Sequence, residues 1–144
     1  MEIQLHRQNK AVHLKAINET GNEVHLDGAE KIGGENLGFR PMQMLLVALG
    51  SCSSMDVLSI LAKQKQKVDD FSVYVNGERE QDKVPALFTE IHVRFEVTGE
   101  VDEKKLHRAI DLSMNKYCSV TKTLEKTATI TSSFILNGTQ EQSI

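Results

Sequence analysis

Residues 40–63 read RPMQMLLVALGSCSSMDVLSILAK and form the main helix signal of the chain. Proline at 41 suits the first turn of a helix, where its missing N–H is one the helix leaves unpaired anyway. No other proline interrupts the run, so the reading is a helix over 42–65. Met44, Leu45, Leu46, Val47, Ala48 and Leu49 leave almost no polar position in the first half, which is the pattern of a helix buried on all sides. Gly50-Ser51 lowers helix propensity just before Cys52 and marks a place for the element to kink or restart. A restart there sets Cys52 near a helix N-terminus, where the macrodipole and free amides favour a thiolate.

Upstream, alternating apolar positions predict three strands over 2–7, 11–18 and 23–27, joined by turns at 8–10 and 19–22. Residues 28–38 hold four glycines among charges and read as an exposed loop; their GGENLG is no phosphate cradle. Downstream, Phe71, Val73 and Val75 predict a strand over 71–75, and Ile91, Val93, Phe95 and Val97 another over 88–98. Residues 76–86 between them read as a long connection. Asp102 is a plausible cap for a second helix carrying Leu106, Ala109, Ile110, Ser113 and Tyr117, with Cys118 at its end. Ser119 is placed to cap a third helix to about 126; 128–136 alternates as a last strand, and the final six residues read as frayed. Strands and helices do not alternate regularly, so the class is α+β, in one domain of 144 residues. A helix apolar all round needs more cover than one sheet of a chain this size provides, so a second copy is expected to supply the rest.

Seventeen Lys and Arg against twenty Asp and Glu give a net charge of −3, which offers no field for a phosphate backbone and excludes nucleic acid as the expected partner. The longest continuous apolar run, 44–49, falls short of the roughly 20 residues of a membrane span, and residues 1–9 carry charge in place of an apolar signal core. The expected location is the cytoplasm. Two cysteines in a reducing compartment point to redox, catalytic or metal chemistry more than to a structural disulfide. Cys52 and Cys118 stand 66 residues apart without CxxC, HxxxH or HExxH spacing, so no metal site is expected.

These residues carry a resemblance. Residues 40–63, KYCSVTKTLEK at 116–126, NETGNEVHLDG at 18–28 and LFTEIHVRFEVTGE at 87–100 resemble the OsmC/Ohr family of thiol peroxidases and OsmC-like proteins. Pro41, Cys52 eleven residues later, and Cys118-Ser119-Val120 match its pattern in order and spacing. The likeness is to the uncharacterised OsmC-like branch more than to the hydroperoxide resistance enzymes. It implies a two-layer α+β fold with a buried central helix, an intertwined homodimer with sites at the subunit interface, and no cofactor.

What the resemblance implies chemically is a pair of thiols. Cys52 attacks an organic hydroperoxide, Cys118 resolves the sulfenate as a disulfide, and an external dithiol reopens it. In the family an Arg held by a Glu lowers the thiol pKa; here the matching positions hold Met42 and Gln43, which supply no charge. Arg7 and Arg40 are the candidates for the cation and Gln43 for its holder. Asp56, one turn after Cys52, would raise the thiol pKa if close to it. Met42, Met44 and Met55 read as core filler, although a Met-rich apolar pocket would suit an organic tail. The alternative reading is a non-catalytic dimer of the same fold that binds a small apolar ligand.

Overall fold

Alternation in the first 26 residues does produce three strands. The computed structural model describes residues 1–144, which divide into two compact units, 1–45 and 46–144. In the first, β1 (Ile3–Arg7), β2 (Leu14–Asn18) and β3 (Glu23–Leu26) pair antiparallel in that order, with Leu5 opposite Ala16 and Ala16 opposite Val24. The turn after β2 is fixed by one side chain: Asn18 Oδ1 accepts from the N–H groups of Thr20 (3.1 Å) and Asn22 (2.9 Å), while Gly21 takes φ +85°.

Buried Asp27 organises the loop that follows β3. Its Oδ1 accepts from the Gly28 N–H at 2.7 Å and its Oδ2 from those of Glu35 and Leu37, both at 3.0 Å. These donors, Leu37 first, hold its carboxyl below the usual range against the opposing effect of burial. Leu26 then bridges Phe39 in parallel.

Helix α1 spans Pro41–Lys63 without interruption. Gln43 Oε1 accepts from the Arg40 N–H at 2.9 Å, the reach-back half of a capping box. The restart expected at Gly50 is absent, and the glycine has a packing reason. A Cβ there would come within 2.9 Å of Val75 Cγ2, so glycine answers a close strand approach and not a break. Cys52 is therefore the twelfth of 23 helical residues, in mid-helix. By length and composition alone α1 is apolar enough to cross a bilayer. Yet it carries Asp56, and Leu49, Ser53, Val57 and Leu61, four residues apart in turn, are buried.

In the second unit, β4 (Lys67–Arg79) and β5 (Phe88–Glu100) form a long antiparallel pair. Strand β4 extends well beyond the predicted 71–75. Its charged end pairs through the ladder, Glu78 with Glu90 and Arg79 with Phe88, because backbone hydrogen bonds need no alternation on an open face. After α2 (Glu103–Leu112), capped by Asp102 Oδ1 on the Lys105 N–H, a π turn (Ser113–Tyr117) leads to α3 (Ser119–Leu124). These helices form the crossover that lets β6 (Thr129–Leu136) lie parallel to β5. The terminus is not frayed: β7 (Gln142–Ser143) pairs with β6, completing the order β4-β5-β6-β7. Ile91, Val93, Phe95 and Val97 of β5, Phe134 of β6, and Leu106 and Ile110 of α2 are buried to 1% exposure or less, each contributing about 1.5–3 kcal/mol.

Candidate functional site

Three elements of the second unit converge at the middle of α1. Cys52 and Asp56, one turn apart, share a face of the helix. Opposite them, the π turn delivers Cys118. The Cys118 N–H donates to the Ser113 carbonyl across five residues at 2.9 Å, and Cys118 then leaves helical geometry at ψ 105°. Cys118, and not Ser119 as the sequence suggests, caps α3: its Sγ accepts from the Thr121 N–H at 3.4 Å. A thiol sulfur is a weak acceptor, which is why composition points to the neighbouring serine.

Ser113 ties these parts together. Its fully buried hydroxyl lies 3.2 Å from the Ser53 carbonyl and 3.2 Å from Asp56 Oδ2, joining the π turn to α1. Ser53 and Ser54 of α1 bond back to their own helix, Ser53 to the Leu49 carbonyl at 2.8 Å and Ser54 to that of Gly50 at 2.6 Å. The Sγ atoms of Cys52 and Cys118 and a carboxylate oxygen of Asp56 all lie within 4.8 Å of one another. Cys52 is half-buried and Cys118 fully buried.

The electrostatics run against the helix N-terminus expected near Cys52. Burial pushes the Cys52 thiol above its ordinary value, and its hydrogen bond with Cys118 adds to this. The Val120 N–H, donating to the sulfur, opposes them; the charges of Cys118 and Asp56 then act in the raising direction. A thiol in the middle of an unbroken helix has no free helix amides of its own, so the lowered pKa expected for Cys52 does not arise. The effect expected of Asp56 does. Asp56 also lines a groove of about 590 Å³, together with Ser59, Ile60, Lys63, Gln64, Leu112 and Tyr117.

Of the other residues singled out in the sequence, Arg7, Arg40 and Gln43 all belong to the first unit and are engaged there. Arg7 donates to the carbonyls of Lys10 and Ala11, Arg40 Nη2 to Asn36 Oδ1 at 2.7 Å, and Gln43 caps α1. Sequence reasoning missed Ser113 and the Val120 and Thr121 amides. The signal for Ser113 was a lone hydroxyl on the apolar stripe of α2; the amides carry none.

A family model described as OsmC-like protein matches residues 33–133. The protein YhfA of Escherichia coli K12 is 42% identical over 119 residues, covering 80% of this chain and 83% of YhfA. The crystal structure of a hypothetical protein from Aquifex aeolicus superposes with a TM-score of 0.81 at 33% identity, covering 94% of this chain and 95% of that one. An organic hydroperoxide resistance protein from Legionella pneumophila shares the fold, with a TM-score of 0.69 at 13% identity over 92% and 94% of the two chains.

Proposed function

The chain belongs to the OsmC-like protein family, and from that premise we propose that it is a cysteine-based peroxidase that reduces organic hydroperoxides to alcohols. The family and its hydroperoxide-resistance members support a peroxide-related redox function in general. The observation that carries the finer reading is the meeting of two free thiols, one half-exposed and one buried, with sulfurs no more than 4.8 Å apart.

The half-exposed Cys52 is the attacker. Its sulfur takes one oxygen of ROOH, the O–O bond breaks, and the thiol proton ends on the leaving alkoxide, giving ROH and a sulfenic acid. The Cys118 thiol then attacks that sulfur, expelling water and forming a disulfide with an S–S bond of about 2.05 Å. An external dithiol reduces it back to two thiols and leaves as its own disulfide. Because the Cys52 thiol is raised, the thiolate fraction at neutral pH is small, and turnover is slow unless a cation lowers it. In this reading Arg7 or Arg40 supplies that cation and Gln43 steadies it. The second reading, an apolar-ligand binder without turnover, draws on the same raised thiol and on the groove bearing Ile60, Leu112 and Tyr117.

OsmC-like relatives are commonly dimeric. We propose a homodimer in which a second copy covers the open apolar face of α1, where Val47, Met55 and Leu58 stand 42%, 70% and 38% exposed. We also propose that residues 1–144 act as one domain, in the cytoplasm, where both cysteines stay reduced. Consumption of cumene hydroperoxide in the presence of dihydrolipoamide, abolished in Cys52→Ser, is the expected result. Absence of turnover, together with saturable binding of an apolar fluorophore, would transfer the case to the second reading. Sedimentation at twice the 16.1 kDa chain mass tests the dimer.

A further inference from the structure

The trio at the centre of the site is also a set of metal donors, and its sequence spacing hides this. Cys52 and Asp56 come from one helix face, and Cys118 arrives from the far end of a crossover 66 residues on. We propose that the reduced protein binds one Zn²⁺ ion per chain through Cys52 Sγ, Cys118 Sγ and the Asp56 carboxylate.

Geometry and donor chemistry carry the assignment. Tetrahedral zinc with Zn–S of about 2.3 Å and Zn–O of about 2.0–2.2 Å holds its donors roughly 3.5–3.8 Å apart. Atoms already within 4.8 Å of one another need contract by little more than about 1 Å, a rotamer adjustment of side chains on elements already in contact. Two thiols exclude the hard cations Mg²⁺ and Ca²⁺, and the carboxylate as third donor favours Zn²⁺ over Cu(I), which selects sulfur. The surrounding groups suit the task. Ser113 Oγ lies 3.2 Å from Asp56 Oδ2 and orients the carboxylate, while the Thr121 N–H at 3.4 Å orients the Cys118 sulfur. Three protein ligands leave a fourth position open, and the groove lined by Asp56 reaches the carboxylate donor from solvent. On binding, both thiols give their protons to solvent and no electron is transferred. Because the metal takes the lone pairs that would attack a peroxide, the zinc and disulfide states exclude one another.

The test titrates Zn²⁺ into the reduced full chain against a chromophoric chelator, with Co²⁺ as a spectroscopic stand-in. One metal per chain is expected, with weakening of at least about tenfold in Cys118→Ser and in Asp56→Asn, and complete loss after Cys52 is alkylated. The Co²⁺ protein should show an intense thiolate-to-metal charge-transfer band, about halved in Cys118→Ser. No saturable micromolar binding, or no charge-transfer band in the unaltered protein, overturns the proposal even if a variant fails to fold. Equal affinity in folded Asp56→Asn does the same. Because the titration uses no peroxide, a failed peroxidase assay leaves this result standing, and a failed zinc titration leaves the peroxidase reading untouched.

Discussion

Replacing Ser113 with alanine tests the joint that brings the two sulfurs together. The hydroxyl has one proton and two acceptors, the Ser53 carbonyl and Asp56 Oδ2, each 3.2 Å away, so it makes one full bond shared between them. A hydrogen bond to a charged group contributes about 1.5–3 kcal/mol. Sharing and length place this one at the lower end. The Ser53 carbonyl keeps its helical partner, and half-exposed Asp56 regains water, so the expected loss is about 1.5–2 kcal/mol. For a chain of this size that lowers Tm by about 5–8 °C. The second consequence is chemical. The Ser113 carbonyl holds the Cys118 N–H at 2.9 Å, so loosening Ser113 loosens Cys118 against α1. Misplacement by about 1 Å can cost a hundredfold, and a loosened joint should slow closure of the disulfide by about tenfold. Thermal melts and the rate of thiol loss after stoichiometric hydroperoxide read the two effects. A Tm change equivalent to less than about 0.5 kcal/mol, with an unchanged oxidation rate, would refute the role given to Ser113.

Alkylation of Cys52 should reach half its maximal rate above the ordinary thiol range, and Asp56→Asn should move that midpoint down, since one of the charges raising it is removed; an unmoved midpoint would contradict the placement of Asp56. A thiol raised on folding stabilises the protein below its unfolded value and ceases to as pH climbs through the folded one, so stability should fall at alkaline pH in the unaltered protein and fall less in Cys52→Ser. Asp27 has the opposite sign: held low by the Leu37, Glu35 and Gly28 amides, it stabilises above its unfolded value and loses this as pH falls, so Asp27→Asn should flatten the acid limb of a pH–stability curve. Gly50→Ala gains about 0.8–1.0 kcal/mol of helix propensity but overpacks Val75 at a cost of about 1–3 kcal/mol. The net is a loss of up to about 2 kcal/mol. Val75→Ala in the same chain should relieve it, and additive single effects in urea melts would dismiss the contact.

Periodicity made the α+β class legible, because strands with one open face and helices with one buried stripe write their contacts as intervals of two and of three to four residues. Gly50 was misread for the opposite reason: a glycine that admits a neighbouring strand looks, in one dimension, like a glycine that ends a helix. The same misreading put Cys52 at a helix start and inverted the direction of its pKa. The length of β4 was hidden because ladder bonds are made by backbone whatever the side chains. Cys52 and Cys118 stood out as candidates by chemistry alone, whereas their proximity depends on a crossover and a π turn that no local pattern encodes. Asp56 was visible through its one-turn spacing. Ser113 drew notice only as a member of the α2 stripe, since its partners lie 57 and 60 residues away.

We propose that Cys52 and Cys118 act as one redox pair within a chain. The most direct measurement is non-reducing peptide mapping of the reduced protein after one equivalent of cumene hydroperoxide. The expected result is a single cross-linked species joining the peptides that carry Cys52 and Cys118, with both free thiols lost and restored together by a dithiol. Cys52 recovered as sulfinic or sulfonic acid beside an untouched Cys118 thiol would contradict it.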